Sequence, residues 1–261
     1  MPEGRQIPHT GEAIVLRTWP FHEADLLISL FTRDQGKVKG VARHAMKSRK
    51  RFGGALEPAT QVRAHYTERP GQDLVRLDQF EILWSPLTAP IDTLRLAALQ
   101  LVVEVLEEAM PDQAPEDNIY RLAVTVLTSL RSDNVYLPIT YFSLWMNRLM
   151  GWMPELGHCA ACGLHLADPG LRNQTVYWSP TADGVTCHDD RRALHSGSQA
   201  SHTLAAASIA ESHRIFRTPL ADLLLEPWPP TRSADLRLFA IATLERHLER
   251  RLRSATALSL G

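Results

Sequence analysis

The chain has 261 residues, of which 44% are hydrophobic and 22% charged, and a formal net charge of -1. That balance is ordinary for a soluble globular protein of one large or two modest domains, so any affinity for a polyanion must belong to a patch and not to the whole surface. No apolar run reaches the ~18 residues of a membrane helix, and the opening MPEGRQIPHTGE lacks the apolar core of a signal peptide. A cytoplasmic location with no membrane partner is therefore expected.

In chain order, the first region reads as strands. Glu12–Thr18 is a β-branched run, and Glu23–Thr32 is a second apolar stretch closed by the turn Asp34-Gln35-Gly36. Lys37–Val41 is its hairpin partner. Gln61–Tyr66 and Leu74–Gln79, the latter continuing to Leu83, alternate with period two around the turn Arg69-Pro70-Gly71-Gln72. Five strands in so short a span, with no helix between them, point to a small closed barrel.

The third strand opens the stretch GKVKGVARHAMKSRKRFGGALEP, Gly36 to Pro58, which leads on toward the fourth. It carries Lys37, Lys39, Arg43, His44, Lys47, Arg49, Lys50 and Arg51 against a single acid, Glu57. Each cation that neutralises a phosphate releases a counterion, so a dense cationic loop on a barrel suits a nucleic-acid backbone; a solvated surface loop is the plainer reading. Phe52, Tyr66 and Phe80 are candidate stacking faces, although an aromatic in a strand is usually core.

From about residue 85 the pattern turns helical. Asp92 is placed to cap a helix that reaches Met110, and Pro111 and Pro115 stop it. Further helices are read at Glu116–Leu130, at Pro138–Met150 before Gly151, over Ser201–Phe216, and in a last long helix with Leu236, Ala240, Leu244, Leu248 and Leu252 in a four-residue repeat. The arginines around that repeat, Arg237, Arg246, Arg250, Arg251 and Arg253, have a sufficient structural role near a helix C-terminus. The domains expected are 1–84, the barrel; 85–156 and 192–261, the two parts of a helical domain; and 157–191, a cysteine-rich insertion.

That insertion opens with Gly157-His158-Cys159-Ala160-Ala161-Cys162-Gly163. Two cysteines two positions apart before a glycine form a metal knuckle, and the odd total of three cysteines argues against structural disulfides. Cys187, behind the turn Asp183-Gly184, begins a second knuckle whose second position is Asp190. The metal set is read as Cys159, Cys162 and Cys187 with Asp190, while His188, His158 and His165 are other candidates for the fourth place. Three thiolates and an oxygen or imidazole suit a structural Zn²⁺. No phosphate loop, dinucleotide fingerprint, nucleophile elbow or compact acidic cluster occurs, so no enzymatic activity is expected.

Taken together, these stretches resemble the RecO family of bacterial recombination mediators. The resemblance is carried by EAIVLRTWPFHEADLLISLFTRDQGKVKGVARHAMKSRKRFGGALEP, by WMNRLMGWMPELGHCAACG and by LERHLERRLRSATAL. It departs at Asp190, where family members that keep the zinc site usually have a fourth cysteine. The resemblance implies an α+β multidomain fold: a five-stranded OB-fold barrel, then an α-helical domain with a zinc-knuckle-like insertion. It also implies binding of single- and double-stranded DNA, annealing of complementary strands, and nucleoid association. The implied partners are RecR and the acidic C-terminal tail of single-stranded-DNA-binding protein, with RecA helped onto DNA indirectly. For that tail, Arg121, Arg131 and Arg148 are the candidate cations. An RNA-binding or ribosome-associated barrel, or a protein-only scaffold, is the alternative.

Overall fold

The computed structural model describes residues 6–48, 50–130, 134–166, 175–194 and 201–258. The chain divides into two compact units, Met1–Asp133 with Leu252–Leu260, and Asn134–Arg251. No helix among the described residues is long and apolar enough to cross a membrane.

The first unit holds β1 (Ile7–Pro20), β2 (Leu26–Thr32), β3 (Gly36–Ala42), β4 (Gln61–Glu68) and β5 (Val75–Trp84). They close as a barrel in the order β1-β2-β3-β5-β4, which is the OB-like arrangement expected. β1, at 14 residues, is long enough to pair with both β2 and β4, so it closes the barrel. Its register against β2 shifts between Val15 and Arg17, and there Val15 exchanges backbone hydrogen bonds with Ala59 and Thr60. Period-two alternation places Ala13, Val15, Ile28, Leu30, Val62, Ala64 and Leu77 in the interior core.

The seam between β3 and β5 is parallel. Backbones approach so closely there that a Cβ on Gly40 would lie 2.7 Å from Val75 Cγ2 and 2.8 Å from the Val75 carbonyl oxygen. Only glycine fits, and its neighbours Lys39 and Val41 take the opposite, outer face.

Helix α1 (Thr93–Ala109) packs on β1 and β2. Asp92 caps it by accepting from the Arg95 N–H at 2.7 Å. Next comes α2 (Asp117–Ser129), whose Tyr120 leans on Phe31 of β2. The second unit contains α3 (Tyr136–Leu149), the antiparallel pair β6 (Thr175–Trp178) and β7 (His202–Ala205), then α4 (Ala206–Ile215), α5 (Leu220–Leu223) and α6 (Ala234–His247). α3 packs on α6, and the buried Asn147 amide donates to the Ser143 and Ala240 carbonyls, both at 2.8 Å. The chain then re-enters the first unit as α7 (Arg253–Leu258), packed on α1. The Glu104 carboxylate accepts from the Arg253 and Ser254 N–H groups at 3.0 and 3.1 Å, so it neutralises orphan donors of that short helix.

Three sequence expectations change. The stretch over Ser201–Phe216 begins as strand β7, because pairing with β6 satisfies its backbone and overrides local helix propensity. The last long helix is two: α6 stops at His247, Glu249 turns left-handed at φ 54, and Leu252 is buried in the first unit instead. The leucine repeat therefore spans two elements serving different cores. The basic stretch is also more ordered than a bare loop, with short 3-10 turns at Ala45–Lys47 and Gly53–Leu56.

Gly40→Ala should cost about 1–3 kcal/mol of stability, because the added methyl meets backbone that cannot yield. Denaturant unfolding followed by circular dichroism measures it; an unchanged midpoint would show that the seam is looser than its geometry.

Candidate nucleic-acid interface and metal centre

The outer face of β3 leads into an open groove of about 570 Å³. Its walls are the β1–β2 connection, with Phe21, His22 and Asp25, and the β4–β5 connection, with Arg69, Gln72 and Asp73; Val41 and Arg43 contribute from the end of β3. In OB barrels the loops between strands 1 and 2 and between strands 4 and 5 frame the oligonucleotide-binding face. Phe21 is 42% exposed and lies against the His22 ring at 4.3 Å between centroids. Arg76 also lines the groove, but its guanidinium is held by Asp78 at 2.8 Å.

The basic segment sits beside this groove because it is pinned there. Asp25 accepts from the His44 N–H at 2.7 Å, and the Met46 N–H donates to the Ala24 carbonyl at 3.2 Å, so the first 3-10 turn is tied to the β1–β2 connection. His44 itself is left-handed at φ 53. Further on, Phe52 is 2% exposed, buried in the barrel core edge-on to Phe80 at 5.3 Å, and the Phe80 N–H donates to the Arg51 carbonyl at 2.9 Å.

These anchors sort the candidate cations. The Lys37 side chain, on the outer face of β3, is covered and 8% exposed, its ammonium donating to the Glu107 carbonyl at 2.8 Å and pairing with Asp112 at 3.4 Å. It serves the end of α1 and is not free for phosphate. Arg51 is half-buried over the Phe52 ring and donates to Ser48 Oγ and the Arg43 carbonyl, so it braces the segment. Lys39 is half-buried on the outer face of β3. Arg43, Lys47 and Lys50 are exposed, and no carboxylate among the described residues pairs with them. Arg49 lies outside the described residues. Tyr66 and Phe80 are core, as is Phe52, so none of the three candidate aromatics offers a stacking face.

The second unit brings Cys159, Cys162, Cys187 and Asp190 together, with one ligand atom from each lying within 4.8 Å of the others. Cys162 and Cys187 sulfurs are 3.9 Å apart; Asp190 Oδ2 is 3.4 Å from the Cys159 sulfur and 3.1 Å from that of Cys187. A tetrahedral ion with metal–sulfur bonds of about 2.3 Å and a metal–oxygen bond of about 2.0 Å needs sulfurs about 3.8 Å apart and oxygen about 3.5 Å from sulfur, so the donor set fits. Backbone makes the clasp: Cys159 N–H donates to the Leu164 carbonyl at 2.8 Å, Gly163 turns at φ 75, and Ala160 N–H reaches the Val185 carbonyl at 2.8 Å to join the two knuckles. Gly184 takes φ 80 with Ala160 packed against it.

The three thiols differ: burial, then its hydrogen bond to Asp190, pushes the Cys187 thiol up. Burial opposes ionisation of Cys159, but backbone N–H groups of Cys162, Cys187 and Ala161 outweigh it and bring the thiol below its ordinary value. The Cys162 thiol is pushed up to about 12, chiefly by its hydrogen bond to Asp190. Asp190 is held below the usual carboxylate range by hydrogen bonds from Cys162, Cys187 and Cys159. The other candidate ligands are occupied elsewhere: His158 packs against His165 at 4.8 Å, and His188 bonds the Tyr177 hydroxyl at 3.2 Å.

Comparison with known proteins agrees in extent with this architecture. The family Recombination protein O N terminal matches residues 7–86, and Recombination protein O C terminal matches residues 91–256. The chain belongs to the RecO family. The DNA repair protein RecO of Koribacter versatilis is 47% identical over 95% of this chain and 97% of its own length. Those of Anaeromyxobacter sp. (strain K) and Syntrophotalea carbinolica are 32% and 30% identical over 92% and 81% of this chain, and over 91% and 79% of their own.

The groove brings in residues that sequence reasoning passed over: Phe21, His22 and Arg69. The available signal was an aromatic and a histidine in a short polar turn directly after a strand. The helical candidates fare unevenly. Arg121 on α2 is paired with Asp117 at 3.3 Å, and Arg131 lies outside the described residues. Arg148 on α3 is exposed over the Trp145 and Phe216 rings at 5.4 and 4.6 Å. Of the C-terminal arginines, Arg246 pairs with Asp183 and Arg251 with Glu245.

Lys37→Met should lower stability by about 1–3 kcal/mol, because the Glu107 carbonyl loses its donor and Asp112 its cation. Lys47→Met should leave it within ~0.5 kcal/mol. Thermal melts of the two variants separate the internal lysine from the free one; equal melting temperatures would refute the assignment.

Proposed function

We propose that the chain is a DNA repair and recombination mediator that binds single- and double-stranded DNA, anneals complementary strands, and with RecR helps RecA replace single-stranded-DNA-binding protein. The observation that carries this reading is the set of exposed cations Arg43, Lys47 and Lys50, without a carboxylate partner among the described residues, beside the open face of an OB-like barrel in a chain whose net charge is only -1. Lys39 on the outer face of β3 extends the track. Phosphate contacts position a strand without reading its sequence. Two strands whose mutual repulsion is screened pair faster, with no covalent step and no catalytic residue.

The tail of single-stranded-DNA-binding protein, acidic and apolar in this reading, is assigned to Arg148 with Trp145 and Phe216, a cation on half-buried rings. Annealing of fluorescent complementary oligonucleotides, naked or coated with that protein, tests both assignments. Arg43→Glu, Lys47→Glu and Lys50→Glu together should abolish annealing in both cases and flatten the single-strand salt dependence by about two log units per log unit of salt. Arg148→Glu should impair only the coated strand. Annealing by the triple variant at the wild-type rate would place DNA elsewhere.

The cysteine cluster is proposed to hold structural Zn²⁺ through Cys159, Cys162, Cys187 and Asp190. When bound, the ion supplies a cross-link between two knuckles, and the residues around it need only hold them in register. One zinc per chain is expected from elemental analysis, with a fall in melting temperature on chelation that Cys187→Ser abolishes together with the metal. A native protein that carries no metal and melts identically in chelator would end this assignment.

A further inference from the structure

The groove and the basic segment differ in chemistry, although they adjoin. The rim presents Arg43, Lys47 and Lys50 with no carboxylate partner among the described residues. Inside the groove, Asp25 and Asp73 stand with Arg43 and Arg69, so a phosphate entering there would meet carboxylates as well as guanidinium groups. The apolar surface belongs to Phe21, Val41 and Leu74. Phe21 is 42% exposed at the end of β1, in a turn fixed by its own N–H donating to the Asp25 carbonyl at 3.1 Å. Phe21 is the large aromatic side chain in the groove wall, carried on an ordered turn with part of its ring open to the groove.

We infer that Phe21, with His22 beside it, is a stacking platform that takes an unpaired base of single-stranded DNA into the groove while the phosphates run along Arg43, Lys47 and Lys50. This deepens, and rests on, the DNA-binding reading above. A base is neutral, so the groove acids do not repel it, and amino groups on a base edge can donate to a carboxylate. Every base has a π-face, so stacking is tolerant of sequence. A duplex keeps its bases stacked on one another and cannot offer one, so the platform distinguishes single strands from duplex DNA, whereas the rim cations serve both. Because stacking releases no counterions, its contribution is independent of salt.

The test compares three DNAs of equal length on the full chain: an oligothymidylate, an oligonucleotide of abasic sites, and a duplex. Wild type is expected to bind the base-bearing strand about tenfold more tightly than the abasic one. Phe21→Ala should lose that margin, weaken only the base-bearing strand, and leave the salt slope and duplex affinity unchanged. Phe21→Trp should restore the margin, with indole fluorescence quenched on binding. Melting temperatures of both variants should match wild type. If wild type binds DNA but ignores the presence of bases, or if Phe21→Ala weakens all three DNAs alike or none, the platform is refuted and DNA binding stands. If wild type binds none of them, the DNA-binding reading itself falls, and the platform with it.

Discussion

The geometry of the proposed DNA-facing surface depends on one buried ring. Lys47, Arg49, Lys50 and Arg51 fall close together in sequence, and such a run left to itself repels itself. Two like charges 4 Å apart in water cost about 1 kcal/mol, and less once salt screens them. Burying a Phe side chain contributes about 1.5–3 kcal/mol, enough to offset a few such repulsions. Phe52 does this at the end of the charged run: its ring enters the barrel core against Phe80, and the adjacent Arg51 carbonyl is tied to β5. The other end of the segment is held through backbone groups at His44 and Met46. Anchored at both ends, the free cations are carried at the mouth of the groove and do not have to be recruited there.

The same logic explains why Lys37 and Arg51, which look like their neighbours in sequence, do different work. A Lys on the outer face of a strand is exposed only where nothing covers that face. The chain after α1 covers Lys37, and once covered, its ammonium needs partners, which the Glu107 carbonyl and Asp112 supply. Arg51 is drawn over Phe52 by the burial of that ring, and its guanidinium then serves as a brace. Charge type was legible in the sequence; which cations are spent internally is a property of the packing.

Legibility follows how local the determining pattern is. All five barrel strands were readable from local pattern: the first two as β-branched or apolar runs, the others from period-two alternation within a few residues, as in Gln61–Tyr66. The parallel seam at Gly40 was not, since the reason for that glycine lies on β5. Strand β7 was hidden for the same cause: its partner β6 is distant in the chain, and the Ala-rich run that follows favours a helix. The cysteine site was readable as a spacing, and Asp190 as one candidate among several; choosing it needed the distances, because His158, His165 and His188 are as near in sequence. The groove was least visible, being made where two connections some fifty positions apart meet.

Net charge is a poor guide to this surface. Several acids pair with bases close to them: Asp117 with Arg33 and Arg121, Glu81 with Arg63, Asp78 with Arg76, Glu211 and Glu226 with Arg214 and Arg232. Exposed pairs of this kind add little stability, about 0–1 kcal/mol each. Their consequence is electrostatic bookkeeping of another sort: each pair is a near-neutral dipole whose field fades within a Debye length of about 8–10 Å. Pairing removes both signs together and leaves the net charge as it was, so what a nearby phosphate backbone would meet depends on where the unpaired cations lie. Arg43, Lys47 and Lys50 lie on one edge of the barrel, so a chain with a formal charge of -1 can still present a cationic track. Asp25 and Asp73 line the groove beside that edge together with Arg43, Arg69 and Arg76, so its wall is mixed in charge, and the exposed ring of Phe21 belongs to the same wall.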